Sequence, residues 1–342
     1  MYGIHAHWAA VYNDEAGLAT TANTITDLGL GWTKLQVRWG EEDYYDDCSG
    51  DFDFDWNHTN EVINTAGGRG QRVLFSVVTS PPCTHPWTGD VHAPPDDPNV
   101  FAAFVGELAA RYAGRGIAIE VWNEQNLDRE WASNPQSLDA KRYTAMLAAS
   151  YNKIKAADPN AIVVSGALAP TGCNNGINCA DDFEYLNQMK AAGADKYMDC
   201  VGTHVNALRV PPDAGVGSQY DSLFNPPHHS WYFKDTVQGY QARMGKQACL
   251  TEFGVASQQN VGSIKGFEWA KDNTEQNQVD WVTQGMKLAR DWGARMVILW
   301  NLDYGPRSGV NDNALYSFFT PSFLKRPIYN AVKSWCASNG CK

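Results

Sequence analysis

The sequence predicts one α/β domain, a parallel (β/α)8 or TIM barrel spanning residues 1–342 with long loops after its strands. Three observations predict it. Short, apolar, β-branched runs alternate with stretches of helical spacing from one end of the chain to the other. No low-complexity linker, composition shift or internal repeat divides them. Runs this short, apolar and β-branched fit a parallel sheet covered on both faces.

Each element has its own signal. The first strand is Tyr2–Trp8, and a helix near Asn13–Leu28 closes at Gly29. The second strand, Trp32–Arg38, leads into an acidic, aromatic loop from Glu41 to Asp55 and a helix around Trp56–Ala66. The third strand is Arg72–Thr79. The next helix opens at Asp97-Pro98, a cap residue with proline in the first turn, carries Phe101, Phe104, Val105, Leu108 and Tyr112 at helical spacing, and stops at Gly114. The fourth strand begins at Ala118 and runs into Trp122-Asn123-Glu124; its helix spans Leu138–Ala157. Then come a strand at Ala161–Gly166, a helix at Asp182–Ala192, and a strand at Met198–His204. A Pro- and Gly-rich loop follows from Val205 to Ser230, of a length that is usually functional inside a compact domain. Trp231–Met244 is the sixth helix, Ala248–Gly254 holds the seventh strand, and Thr274–Trp292 is the seventh helix. Met296–Asn301 is the eighth strand, with a last helix from Pro327.

Composition narrows the class. A hydrophobic fraction of 44% with 19% charged residues describes a folded globular chain. The 27 Lys and Arg against 38 Asp and Glu leave a charge of −11 with no basic block to offset it. Neither nucleic acid nor a membrane is expected as a partner, and no apolar run is long enough to span one.

The barrel matters because it brings every strand's C-terminal end to one rim, where barrel active sites sit. The rim residues are then His5, His7 and Trp8; Arg38 and Trp39; Trp122, Asn123 and Glu124; His204 and Asn206; Glu252; and Trp300, Asn301 and Asp303. Carboxylates at such positions are rarely left unpaired. Two glutamates there, Glu124 and Glu252, fit glycoside cleavage. The leaving oxygen needs a proton, and the cationic anomeric carbon needs a nucleophile or an activated water. The fourth and seventh strands face each other across a narrow core, which predicts the ~5–5.5 Å carboxyl spacing of retaining enzymes. Arg38 is expected to hold Glu252 ionised, and Glu124, partly desolvated and facing that carboxylate, to stay protonated as the acid. Asn123 can donate to a sugar hydroxyl beside the anomeric carbon. Trp39, Trp131, Trp300 and Tyr304, with Trp87 and Trp269, are placed to form aromatic walls along a cleft.

Trp122-Asn123-Glu124, Thr251-Glu252-Phe253-Gly254 and Trp300 resemble the signature of glycoside hydrolase clan A, closest to family 39 and to family 5-like cellulases. The resemblance runs over nearly the whole chain. It implies Glu124 as acid/base, Glu252 as nucleophile, Asn123 on the sugar 2-hydroxyl, Arg38 orienting the nucleophile, and Trp300 as the floor of the −1 subsite. It implies a carbohydrate substrate and no cofactor or metal; an endo-acting β-glycanase is the first expectation and an exo-β-glycosidase the second. Two positions depart from the pattern. Gln125 stands where the clan has proline, and His204-Val205-Asn206 lacks the tyrosine that contacts the nucleophile; Tyr304 is a candidate substitute.

Two other classes fit part of the pattern. A metal-dependent amidohydrolase-like barrel would use His5, His7, His204 and Asp303, with His5 and His7 otherwise hydrogen-bonders under the sugar or core histidines. It also needs a bridging ligand from the fourth or fifth strand, and Ile162-Val163-Val164-Ser165-Gly166 offers none. A glycan-binding barrel without activity has no use for paired carboxylates. Asp43, Asp46, Asp47 and Asp51 lack a calcium-loop pattern and read as a solvated loop.

The 8 cysteines show no metal-ligand spacing. On the barrel they pair as Cys48–Cys83, Cys173–Cys179, Cys200–Cys249 and Cys336–Cys341. Disulfides predict an extracellular, secreted protein. Met1 leads straight into a strand, which fits either a trimmed leader or an intracellular chain, and the cysteine pairing favours the first. A monomer is expected.

Overall fold

A computed structural model describes residues 1–8, 15–42, 54–133, 138–308 and 311–342. Cys48, Asp43, Asp46, Asp47, Asp51 and Asn13, which carry some of the expectations above, lie outside the described residues.

The chain is the predicted barrel. Its strands are β1 (Tyr2–His5), β2 (Trp32–Arg38), β3 (Arg72–Val78), β4 (Ala118–Val121), β5 (Ile162–Ser165), β6 (Val201–Val205), β7 (Ala248–Phe253) and β8 (Met296–Leu299). The main helices between them are α1 (Glu15–Asp27), α2 (Asn57–Gly67), α3 (Pro98–Arg111), α4 (Ala140–Ala157), α5 (Asp182–Ala191), α6 (Phe233–Met244), α7 (Glu275–Asp291) and α8 (Pro327–Asn339). The sheet is parallel, in the order β5-β4-β3-β2-β1-β8-β7-β6. Its two ends, β5 and β6, meet through the single bridges Val164–Cys200 and Leu168–Thr203 and a few bonds such as Asp199 N to Val163 O at 2.8 Å. This seam is the thinnest join in the wall.

Local chemistry explains the boundaries. Asp97 caps α3 by accepting from the Asn99 N–H, with Pro98 in the first turn. Thr274 and Asn277 close a reciprocal capping box at α7. Several strands stop short of their apolar runs. After β1 the His7 N–H turns to the Asp303 carboxylate at 2.9 Å instead of extending the ladder. After β4, Trp122 adopts a φ of +74° and Glu124 one of +45°, which ends the extended chain at Val121.

Two layers fill the structure. A wide apolar layer lies between strands and helices, including Ile4, Val37, Phe75, Phe104, Val121, Leu147, Tyr240 and Phe253. Inside the barrel a smaller plug, with Trp32, Leu74, Ile162, Met296 and Ile298, closes the N-terminal end. Charged side chains sit above that plug, toward the rim. Cys173–Cys179, Cys200–Cys249 and Cys336–Cys341 are bonded as expected. No helix among the described residues is long and apolar enough to cross a membrane.

Candidate active site

The site is built from three strands and the turns that leave them. On β2 the alternation of side chains puts Lys34, Gln36 and Arg38 on the inner face. On β7 a register shift lets Thr251 and Glu252 serve the interior together: Leu250 pairs with Thr203 and Glu252 with His204, leaving Thr251 as the extra residue. Such bulges re-aim side chains beside active sites. Beyond β4, the left-handed backbone at Trp122 and Glu124 turns the carboxylate inward. That turn is held by Trp122 Nε1 on Glu130 O at 2.7 Å, Glu124 N on Ala167 O at 2.8 Å and Gln125 Nε2 on Gly166 O at 2.9 Å. Residue 166 must be glycine, since a Cβ there would stand 2.7 Å from Val121 O. Gln125, where the clan has proline, thus ties the acid's turn to β5.

The two glutamates converge on one imidazole. His204 Nδ1 lies 3.0 Å from Glu124 Oε1 and 3.8 Å from Glu252 Oε2. Glu252 Oε2 also accepts from Asn206 Nδ2 at 3.2 Å, and its Oε1 accepts from Lys34 Nζ at 3.1 Å. Lys34 is fully buried and reaches a further carboxylate, Glu120 Oε2, at 3.1 Å. Glu120 Oε1 accepts from the Thr251 hydroxyl at 2.6 Å and the Ala167 N–H at 3.3 Å. On the outer side, Arg129 donates to Glu124 Oε2 at 3.1 Å and lies 3.7 Å from Glu130, which accepts from Asn123 at 3.4 Å.

These contacts decide the charges. Burial opposes an ionised Glu124, yet the hydrogen bond and charge of His204, with Arg129, hold its carboxyl below the usual range. The expectation that this acid is raised is therefore corrected. His204 and Arg129 both touch its carboxylate, and Glu252 lies on the far side of the imidazole. Burial likewise opposes a charged His204, but the pull of Glu252 and Glu124 wins and raises it. Glu130 moves the other way, pushed up by burial and by Glu124. Burial and then the Lys34 charge drive His5 well down, so it is a neutral imidazole.

Other expected residues fall into two groups. Trp300 faces the site edge-on to His5, ring centres 4.7 Å apart, with Tyr304 at 5.2 Å. Tyr304 bonds to His5 Nε2 at 2.9 Å, and the His7 ring packs edge-on against it. Tyr304 is thus not the substitute for the missing tyrosine; Asn206 itself supplies a donor to Glu252. Tyr316 braces it from behind through its hydroxyl on Asn206 O at 2.9 Å.

The second group is corrected by the structure. Arg38 sits at the end of β2, roughly 13 Å along the strand from Lys34. It meets Glu41, Gln36 at 3.0 Å and His92 at 3.3 Å, and the cation on Glu252 is Lys34. Trp39 and Trp131 are 0% exposed and cannot wall a cleft. Trp39 turns to the outer face and stacks on Phe104, and Trp131 packs edge-on against Trp122 and Tyr143. Lys34, Glu120, Arg129 and Glu130 were not among the expected site residues. A glutamate inside the otherwise apolar β4 was the available signal for Glu120; Lys34 lies in a strand with other polar residues and had no such signal.

Several buried polar atoms around the carboxylates have no protein partner: His7 Nδ1, Asn123 Oδ1, His204 Nε2 and Asn206 Oδ1. They form a set of donors and acceptors of the kind that sugar hydroxyls satisfy. Among the described residues, Asp181, His228 and His229 lie close enough to share a metal ion. His228 Nδ1 accepts from the Ser230 N–H while Nε2 faces Asp181 at 3.2 Å, and His229 Nε2 is held by Asp182 at 3.0 Å. That cluster reads as a hydrogen-bonded loop anchor. His5 Nε2 is bonded to the Tyr304 hydroxyl, and Asp303 accepts from the His7 backbone N–H.

The sequence matches no protein-family profile and no curated protein. Its fold has clear relatives among solved structures. A family 39 glycoside hydrolase from the gut symbiont Bacteroides cellulosilyticus WH2 aligns with a TM-score of 0.67 and 16% identity, over 98% of this chain and 62% of that one. A family 39 β-xylosidase from Caulobacter crescentus gives 0.61 and 16%, over 98% and 70%. An endo-β-1,4-glucanase from Xanthomonas axonopodis pv. citri, carrying three substitutions, gives 0.62 and 11%, over 98% and 99%. The barrel is the one these hydrolases share. This chain spans less than two thirds of the first and nearly all of the last.

Proposed function

We propose that the protein is a retaining β-glycoside hydrolase acting by double displacement, with Glu252 as nucleophile and Glu124 as acid and then base. The observation that carries this reading is a single nitrogen. His204 Nδ1 touches Glu124 at 3.0 Å and approaches Glu252 to 3.8 Å, so both carboxylates face one point of the rim, as a pair acting on a single glycosidic bond must.

In this reading the sugar stacks on Trp300, and its hydroxyls meet Asn123, His7 and Asn206. Glu252 Oε2 attacks the anomeric carbon while the glycosidic oxygen takes a proton from Glu124. Water, deprotonated by Glu124, then attacks the same carbon and expels the carboxylate of Glu252. At rest Glu124 is paired with Arg129, whose side chain is 72% exposed. An arriving leaving group displaces that guanidinium, removes one cation and desolvates the acid, which favours its protonated form. His204 stays beneath as the proton-bearing neighbour of both carboxylates.

The fold's relatives include a β-xylosidase and an endo-β-1,4-glucanase, so β-glucans and xylans come first as substrates. Endo action is favoured by the long loops after β6 and β7, where Trp231 and Trp269 pack edge-on at 6.0 Å. The disulfides support secretion. The deciding experiment is Glu252→Ala. Turnover should disappear and return with azide as a glycosyl azide of inverted configuration. Activity near wild type would remove Glu252 from the mechanism. Product sizes from intact and chain-end-blocked polysaccharides separate endo from exo cleavage.

A further inference from the structure

Glu120 takes no part in the chemistry above, yet it is fully buried beneath it. Its strand, β4, is otherwise apolar. The side chain is fixed at both oxygens: Thr251 at 2.6 Å and the Ala167 N–H at 3.3 Å on one, Lys34 at 3.1 Å on the other. Lys34 is equally buried and stands 3.1 Å from Glu252 as well. One ammonium is therefore shared by two carboxylates. Burial alone would favour a neutral lysine, but the two carboxylates keep it charged.

The double displacement changes this balance midway. When Glu252 becomes a glycosyl ester, its charge is gone and Lys34 loses one of its two counter-ions. A buried ammonium left without a partner is costly. We propose that Glu120 is the permanent counter-ion that keeps Lys34 neutralised while Glu252 is esterified, so that the covalent intermediate is not penalised. This inference rests on Glu252 being the nucleophile. Glu120 acts through Lys34 and is a positioning residue; no proton leaves it during the cycle. Lys34 in turn faces the carboxylate that departs when water attacks, and Glu120 limits how strongly it pulls.

The charge argument orders the variants. With Glu120→Gln, the whole ammonium acts on Glu252, which stabilises the free nucleophile and destabilises the ester. With Lys34→Met and Glu120→Gln together, the cation and its counter-ion leave as a unit, and no buried charge is orphaned.

The test uses dinitrophenyl β-glucoside and β-xyloside carrying fluorine at the second sugar carbon. These trap the glycosyl-enzyme, whose formation mass spectrometry follows and whose hydrolysis is the return of activity. Glu120→Gln should label more slowly than wild type yet reactivate faster, by several-fold to about tenfold, the effect of one nearby charge on a carboxylate leaving group. The double variant should reactivate more slowly than wild type. A merely structural pair would slow both steps in both variants. Reactivation of Glu120→Gln at or below the wild-type rate overturns the proposal. Should that variant not fold, a double variant reactivating as fast as wild type does the same. If wild type is never labelled and Glu252→Ala stays active, the assignment of Glu252 as nucleophile falls instead.

Discussion

The two carboxylates rest on different ground. Glu252 is held from below by Lys34 and from the side by Asn206, with Lys34 pinned in turn by Glu120, and Glu120 by Thr251. Each of those partners is a strand residue or lies directly after a strand. Glu124 sits in a turn with two left-handed residues, and one of its two cations is a largely exposed arginine on a loop. In the proposed mechanism the surroundings of Glu252 are built before substrate arrives, and part of those of Glu124 is replaced by it. Fixed geometry suits the atom that must attack along one line. A replaceable partner suits the group that must gain, lose and regain a proton.

The sharpest way to break this comparison is by stability. Lys34→Met alone leaves Glu120 buried without its cation and should cost about 3–5 kcal/mol in denaturant unfolding. Arg129→Gln, which removes an exposed pair, should cost no more than about 1 kcal/mol. Similar losses would erase the distinction. Next in size is Glu124→Ala, expected to lower kcat/KM by about 10²–10⁴-fold on unactivated glycosides. The first step on dinitrophenyl glycosides should hardly change, because that leaving group needs no proton. Asn206→Ala should then lower kcat about tenfold through the lost hydrogen bond to Glu252, with KM little altered.

The smallest effect tests the replaceable partner. Arg129 helps hold Glu124 below its usual range, so removing it lets the acid keep its proton to higher pH. The alkaline limb of kcat/KM, which reports the free enzyme, should move upward in Arg129→Gln. His204 still faces Glu124 in that variant and limits the shift, while the like charge of Glu130, no longer offset by Arg129, adds to it. An unmoved limb would mean that Arg129 does not act on the acid.

Much of this was legible in the sequence, for reasons that also mark where legibility stops. Alternation places Lys34 and Arg38 on the same inner face, but it says nothing of height. Which of them meets Glu252 depends on the stagger of β2 against β7, set by the closed sheet. A tryptophan at a strand end carries no sign of which way it turns. Trp39 follows Arg38 by one residue, and that single step moves it to the outer face. Glu124 and Glu252 could be found from strand ends alone, since a barrel sends all of those ends to one rim. The charge state of Glu124 could not, because it depends on Arg129 folding back from the following loop.

The thin join between β5 and β6 gives the barrel a direction in which it can yield. Glu124 leaves the wall on the β4–β5 side, while His204, Asn206 and Glu252 belong to the β6–β7 side, whose strands are tied by Cys200–Cys249. The His204–Glu124 contact therefore spans the join like the jaws of a caliper. Widening that seam would lengthen the His204–Glu124 contact and load the Thr251–Glu120 bond, which joins β7 to β4 at 2.6 Å. Hydrogen exchange at the Asp199 and Ser165 amides, which lie on that line, thus measures how firmly the gap between the two carboxylates is set.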